Sequence, residues 1–305
     1  MKLVITGAGG FLGSEIARQA RADARVSSLR LVDVCALKDP EGAEVRRGDL
    51  CDPEFLGSVL HRADAVIHLA ALLGGAAERD RVAARAVNVD VPLTMVEVLR
   101  GTETRFVFAS SIAVLAADLP DPVDDAAPVA PVMVYGAHKA MIETALACEA
   151  RNDRLDAVSL RPSGIMARDG VDAALKSAFL SRLFWAVRRG EDITLPVPET
   201  GRSWLASVTM TARNFLHGAL DASQMPVDPV TLPALAPSFA DLVAALKVRF
   251  PDSPSQVTFA PEAEATRLFA AFPELITDRA DAAGFLRDPD LSALIDGALK
   301  DPEET

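Results

Sequence analysis

Tyr135 and Lys139 are four residues apart in a predicted helix, a spacing that places both side chains on one helical face. Tyr135 is the only tyrosine among the 305 residues. A phenol has an ordinary pKa of about 10. A neighbouring ammonium, helped by an oxidised nicotinamide, lowers that pKa until tyrosinate can act as a general base near neutral pH. The pair therefore predicts proton transfer to and from a substrate oxygen, and a plain helix surface is the alternative.

Ser111 is the third candidate for this chemistry. It follows the apolar stretch Arg105–Ala109, which predicts a buried strand of a parallel sheet. A residue just beyond such a strand lies at the carboxyl edge of the sheet, where open α/β folds bind their ligands. The Ser111 hydroxyl could hold a substrate oxygen while Tyr135 moves its proton. Ser111 is thus predicted to bind substrate and to take part in catalysis, and a purely structural serine is the alternative.

A glycine-rich turn predicts a binding site for a dinucleotide. Gly7, Gly10 and Gly13 form a G-x-x-G-x-x-G pattern between a short apolar strand, Leu3–Thr6, and a helix predicted over Phe11–Ala22. Such a turn lets the main chain approach a pyrophosphate, and the free N–H groups at the start of the helix favour an anion. The alternative is a glycine turn without a ligand, and the strand-turn-helix context disfavours it.

Two aspartates could bind the rest of that dinucleotide. Asp33 lies 20 residues after Gly13, at the end of the second predicted strand (Leu29–Val34), where a carboxylate accepts hydrogen bonds from ribose hydroxyls. Its charge would repel a 2′-phosphate, which favours NAD over NADP. Asp49 and Leu50 end a third predicted strand. Asp49 could bind the adenine amino group or could simply be solvated in a loop.

A frame of alternating strands and helices must position these side chains. Repeated β-α-β units of this length predict an α/β fold, with a doubly wound parallel sheet and helices on both faces. Further strands are predicted at Ala65–Ala70 and Asp156–Leu160, and helices at about 80–100, Gly136–Ala150, Thr211–Leu220 and Ser238–Arg249, the last with Ser238 as its N-cap.

The chain changes character after Arg161, where prolines cluster and the strands become short and irregular. We expect a smaller C-terminal α+β region laid over the carboxyl ends of the sheet. The predicted dinucleotide-binding domain covers residues 1–163 and about 204–225. The predicted substrate-binding region covers about 164–203 and 226–305.

Composition excludes several classes of function. The chain is 50% hydrophobic and 24% charged, which supplies a core and excludes a disordered chain. Its 31 basic and 43 acidic side chains give a net charge of −12, which predicts no binding to nucleic acid or to a membrane surface. Three scattered cysteines without a CxxC pair, and a start without a targeting segment, predict a cytoplasmic protein with no metal site.

The motifs of the first half, taken in order, resemble the extended branch of the short-chain dehydrogenase/reductase superfamily. They are Thr6-Gly7-x-x-Gly10-x-x-Gly13, His68-Leu69-Ala70-Ala71, Val87-Asn88-Val89, Ser110-Ser111 and Tyr135-x-x-x-Lys139. The resemblance implies a Rossmann fold, bound NAD and catalysis by Ser111, Tyr135 and Lys139, with the lysine also bonding the nicotinamide ribose. The implied cofactor contacts are Gly7, Gly10, Phe11, Leu12, Asp33, Asp49, Leu50, Leu69, Ala70, Ala71, Asn88, Tyr135 and Lys139.

The second half is similar to a narrower group of this family, which oxidises the C2 hydroxyl of a small, D-erythronate-like sugar acid with NAD. The matching stretches are Leu160-Arg161-Pro162-Ser163-x-Ile165-x-x-Arg168-x-Gly170, and Pro196-Val197-Pro198 leading to Arg202-Ser203-Trp204. The resemblance implies a small anionic substrate held by Gly74, Ser111, Arg168 and Arg202, since arginine forks match carboxylates.

The chain departs from that group near the implied substrate pocket. Apolar residues and glycines fill 72–76 where polar side chains are expected, and Asp169 and Ser203 replace the expected residues at their positions. A more apolar pocket would accept a less hydroxylated acid. The identity of the acid is therefore open at this point.

Two other functions are compatible with the same predicted fold. A sugar-nucleotide epimerase or dehydratase would keep its NAD bound and recycle it. A non-catalytic NAD-sensing regulator would be expected to lack Tyr135 or Lys139, and both are present.

The helices at about 88–99 and 136–150 carry many apolar residues, which predicts a homodimer. Related dehydrogenases pair these two helices into a four-helix bundle across a two-fold axis. The residues expected to face outward are Val91, Leu93, Val96, Val98, Met141, Ile142, Leu146 and Ala147.

Overall fold

A seven-stranded parallel sheet lies at the centre of the computed structural model, which describes residues 1–37, 42–170, 177–221 and 225–299. The described residues form eleven strands, seven of them in this sheet: β1 (Lys2–Thr6), β2 (Ser28–Asp33), β3 (Glu44–Arg47), β4 (Ala65–His68), β5 (Arg105–Ala109), β6 (Ala157–Arg161), β7 (Gly164–Met166), β8 (Ile193–Leu195), β9 (Leu205–Ser207), β10 (Val230–Thr231) and β11 (Val257–Phe259). The order across the sheet is β10-β6-β5-β4-β1-β2-β3. The winding direction therefore reverses between β1 and β4, which opens a crevice beyond their carboxyl ends. This order confirms the predicted doubly wound Rossmann fold.

Helices cover both faces of this sheet. They are α1 (Phe11–Ala22), α2 (Pro53–Leu60), α3 (Gly74–Arg79), α4 (Arg81–Arg85), α5 (Val91–Leu99), α6 (Val134–Arg151), α7 (Ala178–Arg189), α8 (Val208–Leu220), α9 (Phe239–Arg249), α10 (Ala263–Phe269), α11 (Asp278–Ala282) and α12 (Leu291–Ala298). α1 and α8 share one core with the sheet, and α2, α5 and α6 share the core on its other face. All five residues of β5 are buried between these layers, which explains its continuous apolar sequence. Among the described helices, none has the length and apolar character needed to cross a membrane.

A second core lies in the C-terminal region. It is built from α7, α9, α10 and α12 together with the short parallel pairs β7–β9 and β8–β11. The Ser238 hydroxyl accepts a hydrogen bond from the Asp241 N–H at 3.1 Å, which confirms Ser238 as the N-cap of α9. The central sheet also draws on this part of the chain, because β10 at 230–231 pairs with β6.

Helical structure is continuous from Arg81 to Leu99, which confirms the predicted helical stretch at about 80–100. Asp80 ends α3, and its carboxylate accepts a hydrogen bond from the Ala83 N–H at 2.9 Å and so caps α4. One π-helical turn, Ala86–Asp90, then precedes α5, which has Pro92 in its first turn. Turns of this kind insert an extra residue into a helix and occur often at functional sites. Here the π turn buries Asn88.

The predicted outer face of α5 and α6 was largely wrong. Five of the eight residues expected there are buried, because α5 and α6 press them into the core beneath the sheet: Val91, Val96, Ile142, Leu146 and Ala147. Leu93, Val98 and Met141 are exposed. The outer surface of these two helices is therefore a small apolar patch, made of these three residues, on a mostly polar face.

The start of α6 lies directly against the turn that follows β5. That turn is a short 3-10 segment, Ile112–Val114, and a Cβ atom on Gly136 would lie only 2.0 Å from the Ala113 carbonyl oxygen. A carboxylate of α3 holds the same end of α6, since Glu78 accepts a hydrogen bond from the Val134 N–H at 2.7 Å. Together these contacts fix the first turn of α6 at the carboxyl edge of the sheet.

We expect Gly136→Ala to lower the free energy of unfolding by about 1–3 kcal/mol, because the added methyl overpacks a closed contact. Gly57→Ala is the matched control, since Gly57 also lies in a helix and a Cβ there has no atom within 4 Å. Alanine in an open helical position stabilises by roughly 0.5–1 kcal/mol relative to glycine. Urea denaturation measures both changes. Equal effects of the two substitutions would contradict the close approach at Gly136.

Candidate active site

The glycine turn forms a cradle beside the end of β4. Gly7 has a φ of +72°, and a Cβ atom on it would lie 2.7 Å from the Ala70 main-chain nitrogen, so only glycine fits there. Gly10 is the N-cap of α1, and among the described residues no side chain caps this helix. The first N–H groups of α1, from Phe11 and Leu12, are thus left to bind an anion.

Asp33 lies beside this cradle at the end of β2. Its two carboxylate oxygens accept hydrogen bonds from the N–H groups of Gly9 and Cys35, both at 2.9 Å. The aspartate is therefore held against the glycine turn, as the prediction of a ribose-binding carboxylate requires. Asp49 is exposed beyond β3 and accepts a hydrogen bond from the Cys51 N–H at 2.9 Å, whereas the side chain of Leu50 is buried in the core.

Asn88 supports the segment that follows β4 rather than presenting an open side chain. Its amide oxygen accepts a hydrogen bond from the Leu72 N–H at 2.8 Å, and its amide nitrogen donates to the Leu72 carbonyl at 2.9 Å. Asn88 is buried. Asn88 therefore acts on the predicted cofactor site indirectly, by holding the segment 69–74 in position. This segment contains Leu69, Ala70, Ala71 and Gly74, all partly buried.

The three predicted catalytic side chains meet at the carboxyl edge of the sheet. Ser111 lies next to Tyr135, and the Ser111 oxygen accepts a hydrogen bond from the Ala113 N–H at 3.1 Å. The Lys139 Nζ lies 5.5 Å from the centre of the Tyr135 ring and 4.5 Å from that of Phe108. The close contact at Gly136 explains this geometry, because it brings α6 against the turn beyond Ser111.

The protein alone does not lower the pKa of Tyr135; the predicted lowering also involves an oxidised nicotinamide. Burial raises the pKa of this phenol to about 12, and the neighbouring Ser111 opposes the rise. Burial also lowers the pKa of Lys139 to about 7, against the charge of Glu143. In the unliganded protein, desolvation therefore shifts each group towards its neutral form.

His68 lies on the far side of the lysine and is held neutral. Burial, and then the charge of Lys139, lower the pKa of His68 to about 3. Its Nδ1 shares a hydrogen bond of 2.7 Å with the Thr6 hydroxyl, and its ring stacks on Phe108 at 6.1 Å between centroids. A neutral imidazole here joins the ends of β1 and β4 without adding a second buried charge.

The structure does not bring the two predicted substrate arginines together. β7 and β9 are parallel, with Gly164 opposite Leu205. Arg168 therefore follows the carboxyl end of this pair, whereas Arg202 precedes its amino end. The amino end is the one that leads to Ser111, because the Gly164 N–H donates to the Trp204 carbonyl at 3.1 Å and the Ile112 N–H donates to the Pro162 carbonyl at 3.2 Å.

Both arginines are exposed, and the Nε of Arg202 donates to the Ala236 carbonyl at 3.0 Å. Residues 171–176, which follow Arg168 closely in the chain, lie outside the described residues. Of the two, Arg202 has the shorter backbone connection to the catalytic edge.

The positioning roles of three polar side chains were not predicted, because their partners are remote in the sequence. Glu78 and Asn88, the latter predicted only as a cofactor contact, both bind main-chain groups of neighbouring segments. Glu143 binds Arg161 and Ser110 in the buried layer below Lys139. Only the apolar surroundings of these polar residues in the sequence could have indicated such roles.

The chain belongs to the NAD dependent epimerase/dehydratase family, whose model matches residues 3–208. This family is the extended branch of the short-chain dehydrogenases/reductases, so the resemblance of the sequence motifs is confirmed, and the chain is an NAD-dependent dehydrogenase of that type. The glycine cradle, the uncapped start of α1 and the fixed carboxylate of Asp33 fit the pyrophosphate and ribose of NAD.

Two curated relatives are similar over nearly their whole length. A D-erythronate dehydrogenase of Haemophilus influenzae is 29% identical, over 97% of this chain and 98% of the relative. A D-erythronate dehydrogenase of Cupriavidus necator is 31% identical, over 99% of this chain and 98% of the relative. A solved structure of a nucleoside-diphosphate-sugar epimerase from Agrobacterium tumefaciens is 28% identical, with a TM-score of 0.88 over 98% of this chain and 96% of that one.

The single tyrosine allows its ionisation to be followed directly by ultraviolet difference absorbance of tyrosinate. At pH 10, where an ordinary tyrosine is half ionised, we expect almost no tyrosinate in the folded, unliganded protein, because the pKa of Tyr135 is about 12. The positive charge of bound NAD⁺ is expected to increase the tyrosinate fraction at the same pH. The urea-unfolded chain is the control and should titrate near pH 10. Half ionisation of the folded, unliganded protein at pH 10 would contradict the effect of burial.

Proposed function

We propose that this chain oxidises the C2 hydroxyl of a small, D-erythronate-like sugar acid, with Tyr135 as the general base. The observation that carries the proposal is the meeting of Ser111, Tyr135 and the buried Lys139 at the carboxyl edge of the sheet. The two D-erythronate dehydrogenases support the choice of substrate class, because their similarity includes the C-terminal region as well as the Rossmann domain.

Each group of the catalytic set then has one task. Ser111 binds the C2 hydroxyl, and Tyr135 takes its proton as the carbonyl forms. Lys139 in its ammonium form stabilises the tyrosinate that must exist before this transfer. When bound, NAD⁺ supplies the acceptor for the hydride that leaves C2. Reversal of the steps returns the proton from Tyr135 to the oxygen.

The cofactor-binding set follows the geometry of the crevice. We assign the pyrophosphate to the N–H groups of Phe11 and Leu12 at the start of α1, with Gly10 as the N-cap beside it, and the adenosine ribose to Asp33. Asp49 and the main chain of Leu50 then lie on the adenine side, beyond β3.

For the substrate we assign the carboxylate to Arg202, since its segment leads to the catalytic edge, and Arg168 to the outer rim of the pocket. The segment 71–77 contains no polar side chain and enters α3 beside the first turn of α6. It favours an acid with few hydroxyls beyond C2.

We keep the division into a Rossmann domain (1–163, about 204–225) and a substrate region (about 164–203, 226–305), with β10 added to the sheet.

A sugar-nucleotide epimerase is the second candidate, favoured by the similarity to the nucleoside-diphosphate-sugar epimerase structure. Such an enzyme would interconvert two sugar nucleotides without net formation of NADH. A dehydrogenase accumulates NADH in proportion to the acid consumed. The two functions therefore differ in a quantity that one assay measures.

We expect NADH absorbance to increase with sugar acids and not with UDP-sugars, tested with D-erythronate and with acids of decreasing hydroxyl content. Tyr135→Phe should lower turnover by ~10²–10⁴, the usual contribution of general acid–base catalysis. NAD affinity, measured by calorimetry, should barely change, because the cradle at Gly7 is intact. Near wild-type turnover of the variant would contradict Tyr135 as the base. No NADH with any acid, together with retained NAD binding, would favour the regulator or the epimerase.

We further propose that the protein is a homodimer that acts in the cytoplasm. The apolar patch of Leu93, Val98 and Met141 is the surface for pairing, because it lies on the two helices of the predicted bundle. The described cysteines are all free, which suits a reducing compartment.

Light scattering should give a mass of twice 32.3 kDa at micromolar concentration. Met141→Glu should convert the protein to a monomer, because it buries a charge at the pairing surface. Val248→Glu is the matched control, since Val248 is 82% exposed on α9 and lies outside that surface. A wild-type mass of 32.3 kDa would exclude the dimer.

A further inference from the structure

Glu143 is a buried carboxylate one helical turn after Lys139. It is 3% exposed, and Lys139 is 1% exposed. The Nε and Nη2 atoms of Arg161 both donate to Glu143 at 2.7 Å, and the Ser110 hydroxyl donates at 2.5 Å. Three donated hydrogen bonds, two of them from a guanidinium, hold this buried carboxylate in place.

A purely structural role does not account for this arrangement. A buried ion pair is weak evidence for stability, because removing two charges from water opposes their attraction. The same helix contains a second buried carboxylate, Glu149, to which the partly exposed Arg100 donates at 3.0 and 3.1 Å. Glu143 differs from it in having Lys139 as a neighbour, on which its negative charge acts.

The other charged groups around Lys139 do not supply a counter-ion. On α6 itself, Tyr135 and His138 face the lysine and His68 faces it from β4; all three are neutral near pH 7. Glu78 of α3 and Asp90 of the π turn act on His138. Arg161 of β6 binds Glu143, and Glu97 of α5 is paired with Arg100. Among the described residues, Glu143 is the anion whose charge reaches Lys139.

We propose that Glu143 is a positioning residue that keeps Lys139 in its ammonium form and thereby determines the pH at which the active site loses its cation. The kinetic part of this inference rests on the proposed dehydrogenase function. The protonation part does not, because it concerns the unliganded protein. The pairing with Arg161 and Ser110 fixes the position of the carboxylate one helical turn from the lysine.

The experiment measures the protonation of Lys139 directly. The chain has six lysines, so ¹³C-labelling of lysine gives six Cε signals, and Lys139→Arg identifies the one that belongs to Lys139. In wild type this signal should titrate with a midpoint near 7. In Glu143→Gln the midpoint should fall by about 1 pH unit, which is about tenfold less ammonium at a fixed pH above it. Glu143→Asp retains the charge and should restore most of the shift.

Glu149→Gln is the matched control, because it removes one buried, arginine-paired carboxylate from the same helix. It should leave the midpoint of Lys139 unchanged. If Glu143→Gln alone does not fold, the double variant Glu143→Gln, Arg161→Gln leaves no stranded charge. Its midpoint should also fall, since Glu143 is the charge that raises the pKa of Lys139 against the effect of burial.

In kinetics, the basic limb of the kcat/KM profile of Glu143→Gln should move to lower pH by the same amount, while the profile of Glu149→Gln should overlie wild type. An unchanged Lys139 midpoint in folded Glu143→Gln, or an equal shift in Glu149→Gln, would overturn the inference. A shifted midpoint in a protein that oxidises no acid would overturn the proposed function and leave the inference intact.

Discussion

An ammonium group enclosed by aromatic rings is the constraint on which this active site depends. The Lys139 Nζ lies 4.5 Å from the centre of the Phe108 ring, in a place where water does not reach. A cation there is unfavourable unless the protein supplies compensating charge and polarisable rings. The compensation extends through Glu143 to Arg161 and Ser110, so one buried charge links α6 to the ends of β5 and β6. The need to hold this group in place explains why polar residues occupy the centre of an otherwise apolar layer.

The doubly wound sheet solves the remaining problem, which is to bring distant segments to one edge. The reversal between β1 and β4 places the glycine turn beside the segment after β4, and β5 is the next strand. Two close approaches complete the assembly, one at Gly7 against Ala70 and one at Gly136 against Ala113. Each excludes a side chain, so the cofactor crevice and the catalytic hydroxyls have positions set by main-chain contacts. Main-chain contacts of this kind are insensitive to most substitutions of surrounding side chains.

Sequence patterns predicted the strands, the cofactor motif and the catalytic set, because each depends on local order along the chain. The alternation of apolar runs and helices is enough to predict the parallel sheet. The i, i+4 spacing is enough to predict that Tyr135 and Lys139 lie on one face of a helix. The pKa of Tyr135 could not be predicted in the same way, since it reflects burial by segments far apart in the sequence. The π turn around Asn88 escaped for a related reason, because Asn88 binds the main chain of the segment after β4. The separation of Arg168 from Arg202 depended on the parallel register of β7 and β9, which neither segment encodes alone.

The hydrogen bonds from Asn88 reach only the main chain of Leu72, and they are therefore indifferent to which side chain that position carries. The segment 69–74 keeps its path whatever residues project from it. A lineage can exchange those residues one at a time, and so alter which alcohol is accepted, without disturbing the cofactor crevice or the proton-transfer groups. Substrate recognition and proton transfer can thus change independently of each other in this fold. The apolar 71–77 segment of this chain is one outcome of such divergence on an unchanged catalytic frame.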